Sequence, residues 1–170
     1  VVISDLHAGH EYGLVDPAHF RPAESRMGRF QRHLWHFYKT SITALKPIDT
    51  LLVCGDAIEG KGERSGGVEL LTTNRHTQAE IAAAAINVAG AGRVRLFRGT
   101  RYHVGATEDF EDTIIKSTAC KDAAIGDHDW FRCNGQMFDV RHKVGASSIP
   151  HGRHTPIARE RLWNLIWNSE

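Results

Sequence analysis

Short apolar runs and amphipathic stretches alternate along the first two thirds of the chain, and each apolar run stops at polar residues of a similar kind. Residues 1–4, VVIS, form a β-branched run that predicts a strand. Residues 26–45 predict a helix, because Phe30, Leu34, Phe37, Ser41 and Leu45 recur at three- to four-residue spacing and Pro47 blocks continuation. TLLVC at 50–54 has the pattern of a buried strand that ends at Gly55-Asp56. The polar, glycine-rich GKGERSGG of 60–67 fits neither period and is expected to be a loop. Residues 74–88 contain AEIAAAAINV, a strong helix former closed by Gly90 and Gly92. RVRLFR at 93–98 predicts a further strand that stops at Gly99. Residues 107–119 then predict a helix with Thr107 as cap and Glu108, Asp109 and Glu111 near its positive end.

This alternation predicts an α/β fold with a substantially parallel sheet. The last third changes character. DWFRC and QMFDVRH flank Asn134-Gly135, the pair best suited to a type I′ turn, and predict an antiparallel hairpin. Thr155-Pro156 suits a cap followed by proline at the first helical position, with Ile157, Leu162, Leu165 and Ile166 available to bury one side of a closing helix. Trp163 and Trp167 share one face of that helix, where a sheet-covering role is expected over base stacking. No repeat or linker interrupts the chain, so one domain over 1–170 is expected.

Composition narrows the picture modestly. Lys and Arg total 21 against 20 acidic residues, a formal charge of +1, which argues against a strong nonspecific grip on nucleic acid. Cys54, Cys120 and Cys133 form no CxxC pair, which favours a reducing, cytoplasmic setting. No apolar run approaches the roughly 20 residues that span a bilayer, so no membrane partner is expected.

The chemistry lies where the predicted strands end: Ser4-Asp5-Leu6-His7, Gly55-Asp56-Ala57-Ile58-Glu59, Gly99-Thr100-Arg101-Tyr102-His103, and a fourth segment running through Asp139 to His142. In parallel α/β folds such ends form the usual ligand region, so Asp5, His7, Asp56, His103 and His142 are expected to converge. If the first strand continues, Asp5 and His7 point the same way. Mixed carboxylate and imidazole ligands suit Mn, Fe, Zn or a related transition metal. Residues 55–62 come near the P-loop pattern but lack its Ser or Thr, and Asp56 would repel a phosphate there. His33 and His36 form no HExxH and are expected to be structural or exposed. Glu59 can orient a ligand or pair with a cation, and His10 is placed near the mouth of the site.

Asp5-x-His7, Gly55-Asp56-x-x-Glu59, the 99–103 segment and His142 together resemble the ordered motifs of calcineurin-like metallophosphoesterases, notably a phage or prophage-associated branch. The resemblance implies a two-sheet αββα sandwich with two divalent metal ions, Mn first, with Fe, Zn or Ni as alternatives. It implies hydrolysis of a phosphate ester, mono- or diester, by a water that both metals activate, and leaves nucleic acid or a nucleotide open as substrate. Asp5 and His7 would bind the first metal, Asp56 would bridge, and His142 would bind the second. Where the family has Gly-Asn-His, this chain has Thr100 in the Asn position and His103 three residues later. Thr100 would then offer a hydroxyl to the second metal, His103 would act as general acid or ligand, and Arg101 would hold a phosphate oxygen.

The family's closing Gly-His-x-His string is absent, since His151-Gly152-Arg153-His154 has the wrong spacing. This leads to the expectation of a chain truncated at the C-terminal side, lacking its last strands and final metal motif. The alternative is an inactive metal-binding or interaction module on the same fold.

Overall fold

The computed structural model describes residues 1–104 and 110–167. Four parallel strands, β1 (Val2–Ile3), β2 (Thr50–Cys54), β3 (Arg93–Phe97) and β4 (Ala123–Gly126), lie side by side in chain order. Val53 pairs with Ile3 on one side and Leu96 on the other, and Leu96 in turn with Ile125. Parallel neighbours need crossover connections, and a uniform right-handed crossover stacks α1 (Arg26–Ala44), α2 (Arg75–Ala89) and α4 (Glu111–Ser117) on one face. Strand alternation carries this out. Leu51, Val53, Val94 and Leu96 are buried in one cluster with Ile42 of α1, Ile81 and Ile86 of α2 and Ile114 of α4.

The other face of the sheet carries Leu52 and Phe97, which pack against Val140 and Phe131. Those two belong to the antiparallel hairpin β5 (His128–Cys133) and β6 (Gln136–Arg141). Its turn is the expected one, since Asn134 and Gly135 take φ of 50° and 80°, as a type I′ turn requires. The opposite face of the hairpin presents Trp130 and Asp139 to α5 (Thr155–Trp167): Trp130 Nε1 donates to Asn164 Oδ1 at 3.0 Å, and Arg141 pairs with Glu160 at 3.0 Å. The layers therefore run helices, four-stranded sheet, two-stranded sheet, helix, which is the αββα order. No helix among the described residues is long and apolar enough to cross a membrane.

Several local expectations change. β1 stops at Ile3, and Asp5 and His7 follow it with φ of 54° and 45°, so they occupy a turn and not a continued strand. The α1 helix forms, but Phe30, Phe37 and Leu45 are exposed; the buried side runs through Gly28, Gln31 and Ile42, with Leu34, Trp35 and Tyr38 against the core. Gln31 explains the rotation. Its amide is fully buried because its oxygen accepts from Arg21 N at 2.8 Å and its nitrogen donates to Glu11 O at 3.1 Å. β4 was not expected, since AAIG carries one β-branched residue. Thr107, Glu108 and Asp109, the expected start of α4, lie outside the described residues.

The closing helix also docks differently. Ile157, Leu162, Leu165 and Ile166 are all more than half exposed, and Trp163 and Trp167 stack on each other at 6.4 Å without being covered. The helix begins at Thr155, with the His154 carbonyl taking the first helical bond. It is held by polar contacts: Asn164 also donates to Asp139 Oδ2 at 2.5 Å, and Arg141 and His128 bond the same carboxylate. Burial alone would raise the pKa of Asp139, but these bonds outweigh it and hold the carboxyl below its ordinary range. A depressed carboxyl contributes stability above its unfolded pKa of about 3.9 and loses it as pH falls through the folded value. Asp139→Asn is therefore expected to be less stable than the wild type near neutral pH, and the difference between the two, followed by circular dichroism in urea, is expected to shrink as pH falls through the folded pKa of Asp139.

Candidate metal centre

Three strand ends and the end of β6 deliver their side chains to one place. Asp5 and His7 follow β1, Asp56 and Glu59 follow β2, Thr100 and His103 follow β3, and His142 follows β6. Backbone bonds lock the first two loops together, with Asp5 N to Gly55 O at 3.1 Å and His7 N to Asp56 O at 3.0 Å. Asp5, His7 and Asp56 are three of the four non-glycine residues with positive φ among those described. Each such residue costs about 1–3 kcal/mol, a strain that packing and hydrogen bonding around the site must offset.

Ligand atoms of His7, Asp56 and His103 lie within 4.8 Å of one another, and so do those of Asp5, Asp56 and His142. Asp56 is common to both groups and only 5% exposed. Asp5 also approaches His7 Nε2 at 3.8 Å, so the two groups adjoin along both carboxylates.

The imidazoles are oriented through their other nitrogen. His142 Nδ1 lies 2.7 Å from Cys54 O and His103 Nδ1 lies 2.9 Å from Glu59 O. A carbonyl only accepts, so in both rings Nδ1 carries the hydrogen and Nε2 of the neutral ring bears a lone pair. Those Nε2 atoms stand 3.2 Å and 3.8 Å from Asp56 Oδ2. His7 completes the pattern with Nδ1 against Glu59 Oε2 at 2.9 Å and Nε2 toward Asp5. Lone pairs aimed at carboxylate oxygens repel unless a cation or proton lies between them, and a histidine whose remote N–H is held by an acceptor is the usual arrangement around a metal. The donors present therefore fit divalent cations.

Electrostatics agree. The hydrogen bond to Glu59 is the main reason the His7 pKa is raised, against the effect of burial, and the charges of Glu59, Asp56 and Asp5 add to it. Burial works against the charge on Glu59, but His7 and the neighbouring His103 and His10 outweigh it and lower its pKa. A metal entering here competes with the proton on His7, so uptake releases protons.

No family model matches this chain, and no curated protein matches it. The fold and the cluster are what characterise the chain: two adjoining His/Asp groups able to hold metal ions on an αββα sandwich.

Thr100 lies against the shared carboxylate. Its N–H donates to Asp56 Oδ1 at 2.6 Å and its hydroxyl lies 3.2 Å from the same oxygen, so it steers the shared carboxylate. Arg101 opens the four-residue α3 (Arg101–Val104), is exposed, and points its charge to an adjoining cleft. His10 lies at the wall of a cavity of about 640 Å³ beside Asp5, His7, Glu59 and His103. His33, His36, His151 and His154 are exposed and outside both ligand groups.

Two supporting residues gave no signal in the sequence. Glu111 is fully buried, and its two oxygens accept from Ala57 N at 3.1 Å and Gly99 N at 3.0 Å, tying together the loops that carry Asp56 and Thr100. Burial raises its pKa although both N–H bonds pull the other way. Gln78 is likewise fully buried and pairs its amide with both backbone groups of Gly60, at 2.8 Å and 2.9 Å. Two glycines are fixed by contact: a Cβ on Gly55 would strike the His142 ring, and one on Gly99 would strike Asp56.

Proposed function

We propose that this chain is the catalytic domain of a metal-dependent phosphoesterase, related to the phage-associated calcineurin-like metallophosphoesterases that its motifs resemble. The observation that carries the reading is the set of three imidazoles, each anchored through Nδ1 and each turning Nε2 toward Asp5 or Asp56. Two divalent ions, Mn in the first place, would be held by Asp5, His7, His103 and His142 around a bridging Asp56. When bound they supply Lewis acidity to phosphoryl oxygens and make water a nucleophile near neutral pH.

The chain's own residues supply the rest. Glu59 holds the His7 and His103 rings with one side chain and one carbonyl, so both imidazoles keep their aim as substrate comes and goes. In this reading His103 is a ligand and not the general acid, because Nδ1–H stays committed to Glu59 O and an Nε2 that holds a metal has no proton to give. Thr100 fixes the Asp56 carboxylate, and the planar fork of Arg101 suits a phosphate oxygen of the substrate.

The test uses the full chain. Elemental analysis after Mn loading is expected to find two ions per chain, and hydrolysis of bis(p-nitrophenyl) phosphate is expected to stop with chelator and return with Mn. Two bound ions without turnover on mono- or diesters would point to the interaction module instead. Fewer than one ion per chain would overturn the site itself.

A further inference from the structure

On the His142 side of the metal cluster lies a second cleft, of about 470 Å³. Its walls come from the segments after β3, β4 and β6, and they bring Arg98, Arg101, Arg141 and Lys143 together beside Thr100 and His142. The run 141–143 and the segment 98–101 are distant in sequence, so this concentration of positive charge is a product of the fold. Asp127 is its one carboxylate among the described residues.

Pairing decides which of these charges are available. Arg98 is held by Asp112 at 2.8 Å and faces Asp127 at 3.6 Å, while Arg141 is held by Asp139 at 3.1 Å and Glu160 at 3.0 Å. Arg101 and Lys143 are exposed and make no ion pair or side-chain hydrogen bond among the described residues. Two cations thus stand unneutralised at the edge of a cluster built from carboxylates. The 640 Å³ cavity on the His7 side has the opposite character: among the described residues it is lined by no Lys or Arg, and one wall is Leu34, Phe37 and Tyr38.

We propose that the cationic cleft is a subsite for a second phosphate, covalently linked to the one attacked at the metal centre. The substrate is then a compound with at least two phosphates, one at the metals and one between Arg101 and Lys143. This rests on the phosphoesterase reading. Linkage through a pyrophosphate, as in a nucleoside diphosphate, and linkage through a sugar, as in a nucleotide strand, share this chemistry.

Binding to the full chain, with Mn kept saturating and equal in every titration and over times in which no probe is hydrolysed, tests the subsite without turnover. Calorimetric affinities are measured for inorganic phosphate, inorganic pyrophosphate and 5′-phosphorylated dithymidylate. The preference for two-phosphate probes over inorganic phosphate is expected to fall about tenfold in R101Q/K143Q, to weaken in salt less steeply than in the wild type, and to return in part in K143R. Loss confined to pyrophosphate identifies the pyrophosphate linkage, and loss confined to the dinucleotide identifies the strand. Both residues are exposed, and circular dichroism checks that the variant is folded. An equal loss for all three probes, or none, overturns the subsite: the cleft would then serve only the attacked phosphate or nothing. Failure here with normal metal uptake leaves the phosphoesterase reading standing, whereas absent metal uptake removes that reading and the subsite with it.

Discussion

Asp56→Asn is expected to abolish the binding of the second Mn ion, weaken the first, and lower hydrolysis of bis(p-nitrophenyl) phosphate at least about a hundredfold. Asn keeps the volume and one acceptor, so Thr100 N–H and hydroxyl retain a partner and the loop is not displaced. What changes is the face toward His142 and His103, where Oδ2 stands 3.2 Å and 3.8 Å from the two Nε2 atoms. An amide NH₂ in that position donates to an imidazole lone pair and so occupies the orbital a metal needs. One negative charge also leaves a cluster that includes Asp5 and Glu59. The metal-free variant is therefore expected to melt at or slightly above the wild-type temperature, while the rise in melting temperature on adding Mn disappears. Full activity retained in both Asp56→Asn and His142→Ala would sink the proposed site.

How far the sequence carried the argument depends on the kind of signal. Asp5, Asp56 and the 99–103 segment were legible because a parallel strand is an apolar run, and polar residues at its end mark the ligand edge of the sheet. Asn134-Gly135 fixed the hairpin because few residue pairs accept two positive φ values. Helix α1 was legible as a helix but not in its rotation, since the centre of its buried side is Gln31, whose partners Arg21 N and Glu11 O belong to an irregular segment. The closing helix misled in the reverse sense: its apolar residues are exposed, and Glu160 and Asn164 make the contacts. The turn at Asp5 and His7 was also hidden, because positive φ at a non-glycine residue is imposed by surrounding bonds and not by composition. Glu111 and Gln78 share that invisibility, as each satisfies backbone groups that no local pattern announces.

Glu111 is where this matters most for stability. Both of its oxygens are spent on buried backbone donors, Ala57 N and Gly99 N, which immediately follow Asp56 and precede Thr100. Gln offers one acceptor and turns an NH₂ toward the other donor, so one N–H loses its partner and faces a second donor. Glu111→Gln is expected to cost about 1–3 kcal/mol. Glu111→Ala leaves both N–H groups unpaired beside a cavity and is expected to cost about 3–5 kcal/mol, a large share of the about 5–15 kcal/mol that holds a typical domain folded. At this chain length each kcal/mol corresponds to about 2–4 °C in melting temperature. Lys116→Ala, an exposed position on the same helix, serves as control and is expected to stay within about 0.5 kcal/mol of wild type. Because Glu111 touches neither group of candidate ligands directly, its effect on metal uptake must pass through the Asp56 and Thr100 loops. Calorimetric titration of the folded Glu111→Gln chain is expected to show Mn affinity lowered about 10- to 100-fold at unchanged stoichiometry. A variant that melts like wild type, or one that binds Mn as tightly, would show that the two loops hold Asp56 in place without this carboxylate.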